Sequence, residues 1–323
     1  MHNNIGLIGY GEVGKIFCAG LKTKPGIESV SAWDLKFADA SLQKKELANA
    51  LDAGVAACTS MQALCARADW LISAVTASNT LAVAQEAVKF IKPGTLFLDL
   101  NSASPGTKQQ AAILIDAAGG HYVEAGVMTS IPPYGIRVPM LLGGPQADAL
   151  AMRLRGWGMD AKAVSEKLGV ASAIKMCRSV MIKGLEALVI ESYATARAYG
   201  VEAHVLPTLA ETFPSIDWAK QGAYFFSRVV QHGKRRAEEM REAANTVREA
   251  GFEPFMASAI ADKQQWVADG AAAGLFDGLD KDAVWQAYAD RLIDRRLLRR
   301  DQADVAPSSS AVPHVGLWPI PPP

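Results

Sequence analysis

The chain has 323 residues, half of them apolar, and its 33 basic and 33 acidic residues cancel to a net charge of zero. A chain of this length can form two domains with sizeable cores. Because a zero net charge creates no field that favours nucleic acid or an anionic membrane, we expect a small molecule as the binding partner.

Three expected absences follow from the same composition. No apolar run reaches the roughly 18–20 residues of a membrane span, and the first strand leaves no room for a signal segment, so we expect a cytoplasmic protein. The four cysteines lack CxxC spacing and lie mostly in apolar helical surroundings, which is typical of reduced thiols. No two of the five histidines have metal-ligand spacing with each other or with a cysteine, so we predict no metal.

The first predicted strand ends in the sequence GLIGYGEVG, residues 6–14, which contains a G-x-G-x-x-G pattern. Gly9 permits the tight turn out of the strand, Gly11 lets the backbone approach a pyrophosphate, and Gly14 lets the next helix pack closely. The free N–H groups and positive dipole end of that helix favour a pyrophosphate. We therefore predict a dinucleotide cofactor that contacts Gly9, Tyr10, Gly11, Glu12, Val13 and Gly14.

The next segments complete a strand–helix–strand unit. Residues 12–23 predict a helix, and residues 29–33 predict a second strand that ends at Asp34, twenty positions after Gly14. A carboxylate there accepts hydrogen bonds from the adenosine ribose hydroxyls and repels the 2′-phosphate of NADP. We therefore predict NAD in preference to NADP, although Lys36 is close enough to weaken that repulsion. The alternative for Asp34 is a solvated loop position.

Helical and strand-like segments alternate as far as residue 160. Strands are predicted over residues 69–75, 95–100, 122–127 and 139–144, and helices over residues 79–90 and 105–118. Such alternation is typical of the α/β class with a doubly wound, largely parallel Rossmann-type sheet. Because such sheets bind ligands beyond the carboxyl ends of their strands, the polar segments after Val75, Leu100 and Val127 should line the site. Val75 and Thr76 are predicted to contact the cofactor.

From Gly169 onward the pattern predicts helices only. The first runs from Val170 to Tyr199, is apolar and ends at Gly200. We therefore predict a Rossmann domain, an all-helical domain for substrate binding and dimerisation, and an extended tail rich in proline and serine, over residues 1–165, 166–302 and 303–323. The apolar C-terminal helices predict a homodimer or homotetramer.

A polar stripe lies on the long predicted helix. Lys175, Ser179 and Lys183 are spaced at i, i+4 and i+8, so they share one face of a helix that is otherwise mostly apolar. Either this face is solvated, or it faces a cleft in which a lysine does acid/base work.

The chain resembles the 3-hydroxyacid dehydrogenase family, which is similar to 6-phosphogluconate dehydrogenase and includes 3-hydroxyisobutyrate dehydrogenase and tartronate semialdehyde reductase. The resemblance extends from residue 4 to about residue 260 and rests on GLIGYGEVG, DLNSASP (residues 99–105) and GVASAIK (residues 169–175), in family order. It implies NAD(P)-dependent oxidation of the hydroxyl group of a 3-hydroxy acid. Lys175 would be the catalytic lysine, and Asn101 and Ser102 would contact the substrate, with Ser102 also beside the nicotinamide.

Two departures from the family pattern concern residues that contact the substrate. The family's Ser-Gly-Gly, which holds the substrate carboxylate, reads Met128-Thr129-Ser130, and the asparagine one turn after the lysine is Ser179. A methionine gives a flexible apolar wall. These changes resemble a subgroup that includes phenylserine dehydrogenase-like enzymes, and they predict a substrate bulkier than 3-hydroxyisobutyrate that carries an amino group or an aromatic substituent.

Two charged residues have alternative interpretations. The family's Lys-Asp-Leu aligns with Glu238-Glu239-Met240, so Glu238 reverses a charge near the pocket; there it would repel a second acidic group and attract an ammonium. The alternative is a solvated position on a highly charged helix. Lys183 either binds the substrate carboxylate or pairs with Glu186 or another carboxylate.

The proposed chemistry requires a lysine with a lowered pKa, because an amine with a pKa of about 10.4 is a poor base at neutral pH. Desolvation, the positive nicotinamide and Lys183 would all lower the pKa of Lys175. Oxidative decarboxylation, an imine reductase-like reaction and a non-catalytic NAD sensor are the alternative functions. Lys175 favours alcohol over imine chemistry, because imine reductases typically lack this lysine.

Overall fold

The structure, a computed structural model, describes residues 3–304, and side chains as far as residue 294. Within this range eight strands form a single sheet: β1 (Asn3–Ile8), β2 (Ile27–Trp33), β3 (Ala56–Ala57), β4 (Trp70–Ser73), β5 (Leu96–Asp99), β6 (His121–Val127), β7 (Met140–Gly143) and β8 (Ala161–Ser165).

The helices of the described chain fall into two groups. The helices between strands are α1 (Glu12–Leu21), α2 (Gln43–Asp52), α3 (Met61–Arg67), α4 (Thr80–Ala87), α5 (Pro105–Ala117) and α6 (Ala147–Gly156). The helices after the sheet are α7 (Val170–Tyr199), α8 (Glu202–Thr212), α9 (Trp218–Glu249), α10 (Phe255–Ala272) and α11 (Trp285–Asp304). The predicted class, a Rossmann-type sheet followed by an all-helical region, is confirmed.

The strand order is β3-β2-β1-β4-β5-β6-β7-β8, and every neighbouring pair is parallel except β6 and β7. A parallel connection needs a crossover of a dozen or more residues, usually a helix. The segment between β6 and β7 contains only a single 3-10 turn, Gly135–Arg137, so β7 returns antiparallel. The order reverses between β1 and β4, which is where sheets of this kind bind ligands.

Both faces of the sheet are covered, as parallel sheets require. On one side, α1 buries Phe17 and Leu21 against strand residues such as Leu7. On the other side, α3 and α5 bury apolar side chains that include Leu64 and Ile115. This packing fixes the carboxyl ends of the strands along one edge.

The chain divides into two compact units. Within the described residues, the first comprises residues 3–189 together with Arg228–Gly270, and the second comprises Ile190–Ser227 together with residues 271–304. In the first unit, α7 packs against α9 and α10 through Met176, Met240 and Ile260. The domain division near residue 165 stays a prediction, and the predicted tail lies outside the described residues except for its first two positions.

In the second unit, Tyr193 packs edge-on against Trp285, with ring centroids 4.8 Å apart, and donates a hydrogen bond to the backbone of Trp218. No helix of the described chain is long and apolar enough to cross a membrane. The predicted cytoplasmic location stays a prediction.

Candidate active site

The glycine turn after β1 has the shape that a dinucleotide needs. Gly9 has a φ of +97°, and a Cβ there would lie 2.5 Å from the carbonyl oxygen of Ala74. A Cβ on Gly14 would collide with the carbonyl oxygen of Gly9, whereas a Cβ on Gly11 would meet no described atom within 4 Å. The backbone at Gly11, the N-cap of α1, is therefore open to a pyrophosphate.

The structure places Asp34 beside this turn. Its Oδ2 accepts a hydrogen bond of 2.6 Å from the backbone N–H of Tyr10, and its Oδ1 accepts one of 2.9 Å from that of Lys36. The Tyr10 ring is buried against Phe37, so Tyr10 presents its backbone to the turn. Glu12 is exposed at the start of α1, and Val13 follows it half-buried. These residues fit the adenosine side of a dinucleotide.

Asn101 connects the ends of two strands. Its Oδ1 accepts from the backbone N–H of Val75 at 2.8 Å, and its Nδ2 donates to Ser73 Oγ at 2.9 Å. Its own backbone N–H donates to Asp99 Oδ1. Both polar groups of this buried side chain thus fix the segment that carries Val75 and Thr76, and its contact with a substrate stays a prediction.

Lys175 and Ser102 meet directly. Lys175 Nζ donates a hydrogen bond of 2.5 Å to Ser102 Oγ, which joins α7 to the loop after β5. Close packing brings the helix there: a Cβ on Gly126, near the end of β6, would lie 2.9 Å from the carbonyl oxygen of Ala171. The chain leaves β6 just after this close contact, through Met128, Thr129 and Ser130. Met128 is half-buried.

The Lys175 amine has an unusual pKa. Its pKa is lowered from 10.5 to about 7: burial lowers it most, Glu239 opposes that effect, and the positive charges of Lys183, Lys108 and Arg235 add to it. Desolvation and like charges both disfavour the ammonium form. Lys175 is therefore divided between amine and ammonium near neutral pH.

Lys183 is buried and paired. Its Nζ lies 2.9 Å from Glu239 Oε2 and donates to Ser179 Oγ at 3.2 Å. Glu239 Oε1 in turn lies 3.1 Å from Arg235, which is half exposed. Burial raises the pKa of Glu239, but Lys183, Arg235 and Lys175 outweigh that effect and hold it at about 2. Glu239 is thus ionised, and the polar stripe of α7 contacts α9.

The pairing of Lys183 with Glu186 is wrong, because Glu186 is bonded to Arg236 and Gln264 instead. The carboxylate that pairs with Lys183 is that of Glu239. The family pattern points to its neighbour Glu238, and only the structure shows which glutamate of α9 reaches Lys183.

Glu238 lies beside a cavity. It is half-buried, and its Oε2 accepts a hydrogen bond of 3.2 Å from Ser78 Oγ. The cavity has a volume of about 620 Å³, and its lining includes Thr76, His232 and Arg235. Burial, followed by Arg228 and other cations, lowers the pKa of His232 to about 4. Thr76, a predicted cofactor contact three residues after the end of β4, is part of the cavity lining.

Glu124 was missed by the sequence reasoning. It is fully buried in β6, and it accepts hydrogen bonds from the backbone N–H groups of Gly169 and Ala171, at 2.8 and 3.0 Å, and from Ser172 Oγ at 2.5 Å. A carboxylate at a helix N-terminus is favoured by the helix dipole. Glu124 therefore anchors the first turn of α7, one turn before Lys175. The signal was a lone glutamate within the apolar sequence YVEAGV.

Two carboxylates of α9 anchor the start of α5. Glu242 Oε2 accepts from the backbone N–H of Ser104 at 2.7 Å, and Glu249 Oε2 accepts from that of Gly106 at 2.8 Å. Both donors follow Ser102 closely in the chain. The loop that carries Ser102 is therefore fixed by α9 as well as by Lys175.

Comparison with known proteins identifies the family. Residues 4–134 match the NAD binding domain of 6-phosphogluconate dehydrogenase, and residues 196–267 match the domain of unknown function DUF1932. A conserved hypothetical protein from Sinorhizobium meliloti 1021 is 37% identical, with 91% of this chain and 97% of that chain covered at a TM-score of 0.71. A conserved protein of unknown function, described as structurally similar to 3-hydroxyacid dehydrogenases, is 28% identical, with 84% and 99% covered at a TM-score of 0.63. The chain belongs to the 3-hydroxyacid dehydrogenase family.

The chain is also similar to an uncharacterised 28.5 kDa protein from Methanothermus fervidus, 29% identical over 257 residues, with 78% of this chain and 94% of that protein covered. The fold alone is shared with 3-hydroxyisobutyrate dehydrogenase from Mycobacterium tuberculosis, 17% identical, with 90% and 99% covered at a TM-score of 0.60. It is also shared with an NADPH-bound reductive aminase from Aspergillus terreus, 17% identical, with 87% and 98% covered at a TM-score of 0.53. The family membership establishes an NAD(P)-binding domain, and it leaves the choice between NAD and NADP open.

Proposed function

We propose that this protein is a dehydrogenase that oxidises the hydroxyl group of a 3-hydroxy acid with NAD, and that Lys175 is its acid/base residue. The observation that carries the proposal is the 2.5 Å hydrogen bond from Lys175 to Ser102, at the sheet edge where ligands of this fold bind. A partly buried amine with a pKa of about 7 is suited to exchange a proton at neutral pH.

In the oxidation, the neutral amine of Lys175 takes the proton of the substrate hydroxyl group. Ser102 Oγ accepts a hydrogen bond from Lys175 and keeps its own O–H to donate, either to the reacting oxygen or to the substrate carboxylate. Lys183 is the candidate for the substrate carboxylate. When bound, the nicotinamide supplies the acceptor for the hydride that leaves the carbinol carbon.

The glycine turn and Asp34 support NAD as the cofactor. Gly11 is open for a pyrophosphate, and the Asp34 carboxylate is fixed beside it by Tyr10 and Lys36. Each carboxylate oxygen can accept further hydrogen bonds, as the ribose hydroxyls require, and its charge opposes a 2′-phosphate. The reductive aminase with the same fold binds NADPH, so the cofactor needs a direct comparison.

For the substrate, we propose a 3-hydroxy acid bulkier than 3-hydroxyisobutyrate, with an amino or aromatic substituent. Met128 is half-buried after β6 and offers an adaptable apolar surface, while Ser179 leaves more room than the family's asparagine. We also propose a homodimer or a homotetramer, since α7 exposes the apolar side chains of Ile174, Met181 and Leu188.

The test is a substrate screen with the full chain. Phenylserine, threonine, 3-hydroxyisobutyrate and 6-phosphogluconate are compared with NAD and with NADP, and the absorbance of the reduced cofactor is followed. Tartronate semialdehyde is assayed in the reductive direction. We expect the first two acids to react best, with NAD.

Three results would change the assignment. Release of carbon dioxide in step with cofactor reduction would show an oxidative decarboxylase. Reduction of cyclic imines without oxidation of any hydroxy acid would show an imine reductase. Tight binding of NAD without turnover of any of these compounds would favour a sensor and overturn the proposal.

A further inference from the structure

The ion pair between Lys183 on α7 and Glu239 on α9 is largely shielded from solvent. The side chains are 8% and 12% exposed, and the two charged groups are 2.9 Å apart. Burying two charges is costly and adds little to stability, even when they are paired. A pair in this position, next to the candidate acid/base residue Lys175, therefore suggests a role in the binding of a ligand.

The pair has unused hydrogen-bonding capacity of both kinds. Lys183 has three N–H donors, of which Ser179 and Glu239 take two, and within the described side chains no partner is assigned to the third. Glu239 receives Lys183 on one oxygen and Arg235 on the other, and each oxygen can accept one more hydrogen bond. The pair can thus bind a carboxylate through Lys183 and an ammonium through Glu239.

The charges of the pair determine which ligands fit. The charges of Lys183 and Glu239 cancel, and the charge of Arg235 on the other oxygen of Glu239 is half exposed and screened by solvent. A substrate with one carboxylate and one ammonium therefore adds no net charge to the buried pair. A substrate with a second carboxylate would bring two negative charges close to Glu239, where partial burial weakens the screening by solvent. The Glu239 carboxylate stays ionised at neutral pH, because its pKa is about 2.

We propose that Glu239 is the specificity-determining residue of the site: it binds the ammonium group of a 3-hydroxy-2-amino acid whose carboxylate is bound by Lys183. This inference rests on the proposed dehydrogenase function. It assigns to Glu239 the selectivity that the sequence pattern assigned to Glu238, whose carboxylate is instead bonded to Ser78 beside the cavity.

The experiment compares acids that differ only in the amino group. Threonine is paired with 3-hydroxybutyrate, phenylserine is paired with 3-hydroxy-3-phenylpropanoate, and 3-hydroxyglutarate serves as the diacid. We expect kcat/KM of the wild type to favour the amino member of each pair by at least about 10-fold, the effect of one hydrogen bond between charged groups. The diacid should react most slowly.

Glu239→Gln keeps the size of the side chain and removes its charge. We expect it to lower the ratio of kcat/KM for amino over non-amino acids by about 10- to 100-fold, and to improve the diacid relative to threonine. Glu86→Gln is the matched control: Glu86, near the end of α4, pairs with Lys89 in an exposed position, so this variant should leave all ratios unchanged. Glu238→Gln shows whether the neighbouring glutamate has the role instead.

The outcomes distinguish a failure of the role of Glu239 from a failure of the proposed dehydrogenase function. If the wild type oxidises none of these acids with either cofactor, both are overturned. If it oxidises them without preference for the amino members, or if Glu238→Gln rather than Glu239→Gln removes the preference, only the role of Glu239 is overturned. If circular dichroism shows that Glu239→Gln does not fold, the wild-type ratios and Glu238→Gln decide the question together: a wild-type preference that Glu238→Gln retains supports the role of Glu239, and one that it loses overturns it.

Discussion

The glycine turn and the Lys175 cluster are two halves of one candidate site, built in different ways. The turn consists of consecutive residues, from Gly9 to Gly14, and its function depends on where a Cβ is absent. The cluster consists of side chains from three elements far apart in the chain, the β5 loop, α7 and α9, which meet at Ser102, Lys175 and Glu239.

This difference predicts different responses to mutation. In the glycine turn, where the backbone forms the site, an added Cβ should change the affinity for the cofactor and leave the proton transfer unaffected. A cluster of charges changes in rate, pH dependence and selectivity when one charge is removed, because every other member then changes its pKa. Cofactor affinity and turnover should therefore respond to separate sets of residues.

The largest effect is expected for Lys175→Ala. Removing the acid/base group should lower kcat by about 10²- to 10⁴-fold. The dissociation constant of NAD should stay within a few-fold of the wild type, because the glycine turn is untouched. Fluorescence titration of NAD and steady-state kinetics check the two halves separately.

The matched control is Lys167→Ala, an exposed lysine just before α7, which should retain full turnover. Near-normal kcat in a folded Lys175→Ala protein would remove this residue from the chemistry. A parallel loss of NAD binding would mean that the two regions are not separable.

The next effect is the pH dependence of the wild type. Oxidation needs the neutral amine of Lys175, so kcat/KM should fall about 10-fold for each pH unit below about 7 and level off above it. Reduction needs the ammonium form, so its rate should fall as the pH rises through the same value. Opposite slopes in the two directions distinguish Lys175 from a group that only affects folding. Slopes of the same sign would contradict the assignment.

The fold was largely predictable because its signals are local. The glycine spacing, the alternating segments and the apolar run of α7, whose predicted ends at Val170 and Tyr199 are those observed, each depend on neighbouring residues. No local signal predicted β3, which is two residues long and, within the described chain, pairs with β2 alone. β7 runs antiparallel because the segment before it forms no crossover helix.

The site was predictable only in part. Lys175 and Ser102 were identified by their motifs, and their hydrogen bond agrees with that placement. Glu239 could not be separated from Glu238, because helix α9 is charged over several turns and its rotation is set by tertiary packing. Glu124 acts at the start of α7, 45 positions further along the chain, a distance that no local pattern spans.

Within the turn, Gly11→Ala should weaken the binding of the cofactor without lowering the stability of the protein. The new Cβ meets no described atom within 4 Å, so the thermal midpoint without cofactor should be unchanged or slightly raised. The same Cβ would occupy space that a pyrophosphate needs, and we expect the dissociation constant of NAD to rise at least about 10-fold.

Gly156→Ala is the control for Gly11→Ala, because that glycine also has open space around its Cα among the described atoms but lies at the end of α6. It should leave NAD binding unchanged. If Gly11→Ala binds NAD as well as the wild type does, the turn is not the pyrophosphate site. A large loss of stability would instead mean that the turn is strained in a way that its geometry does not show.

The smallest effect is expected at Asp34, which sets the choice of cofactor. Asp34→Asn keeps one acceptor oxygen, enough for the N–H group of either Tyr10 or Lys36 but not of both, and it loses the charge that opposes a 2′-phosphate. The ratio of kcat/KM for NAD over NADP should fall about 10-fold, mainly because NADP improves. Asp34→Ala should reduce the same ratio while also raising KM for NAD, since both backbone donors lose their acceptor. Because neither change touches Lys175, the pH profile with NAD should keep its midpoint near 7.

Better use of NADP than of NAD by the wild type would show that the carboxylate beside the turn serves the fold and not the cofactor.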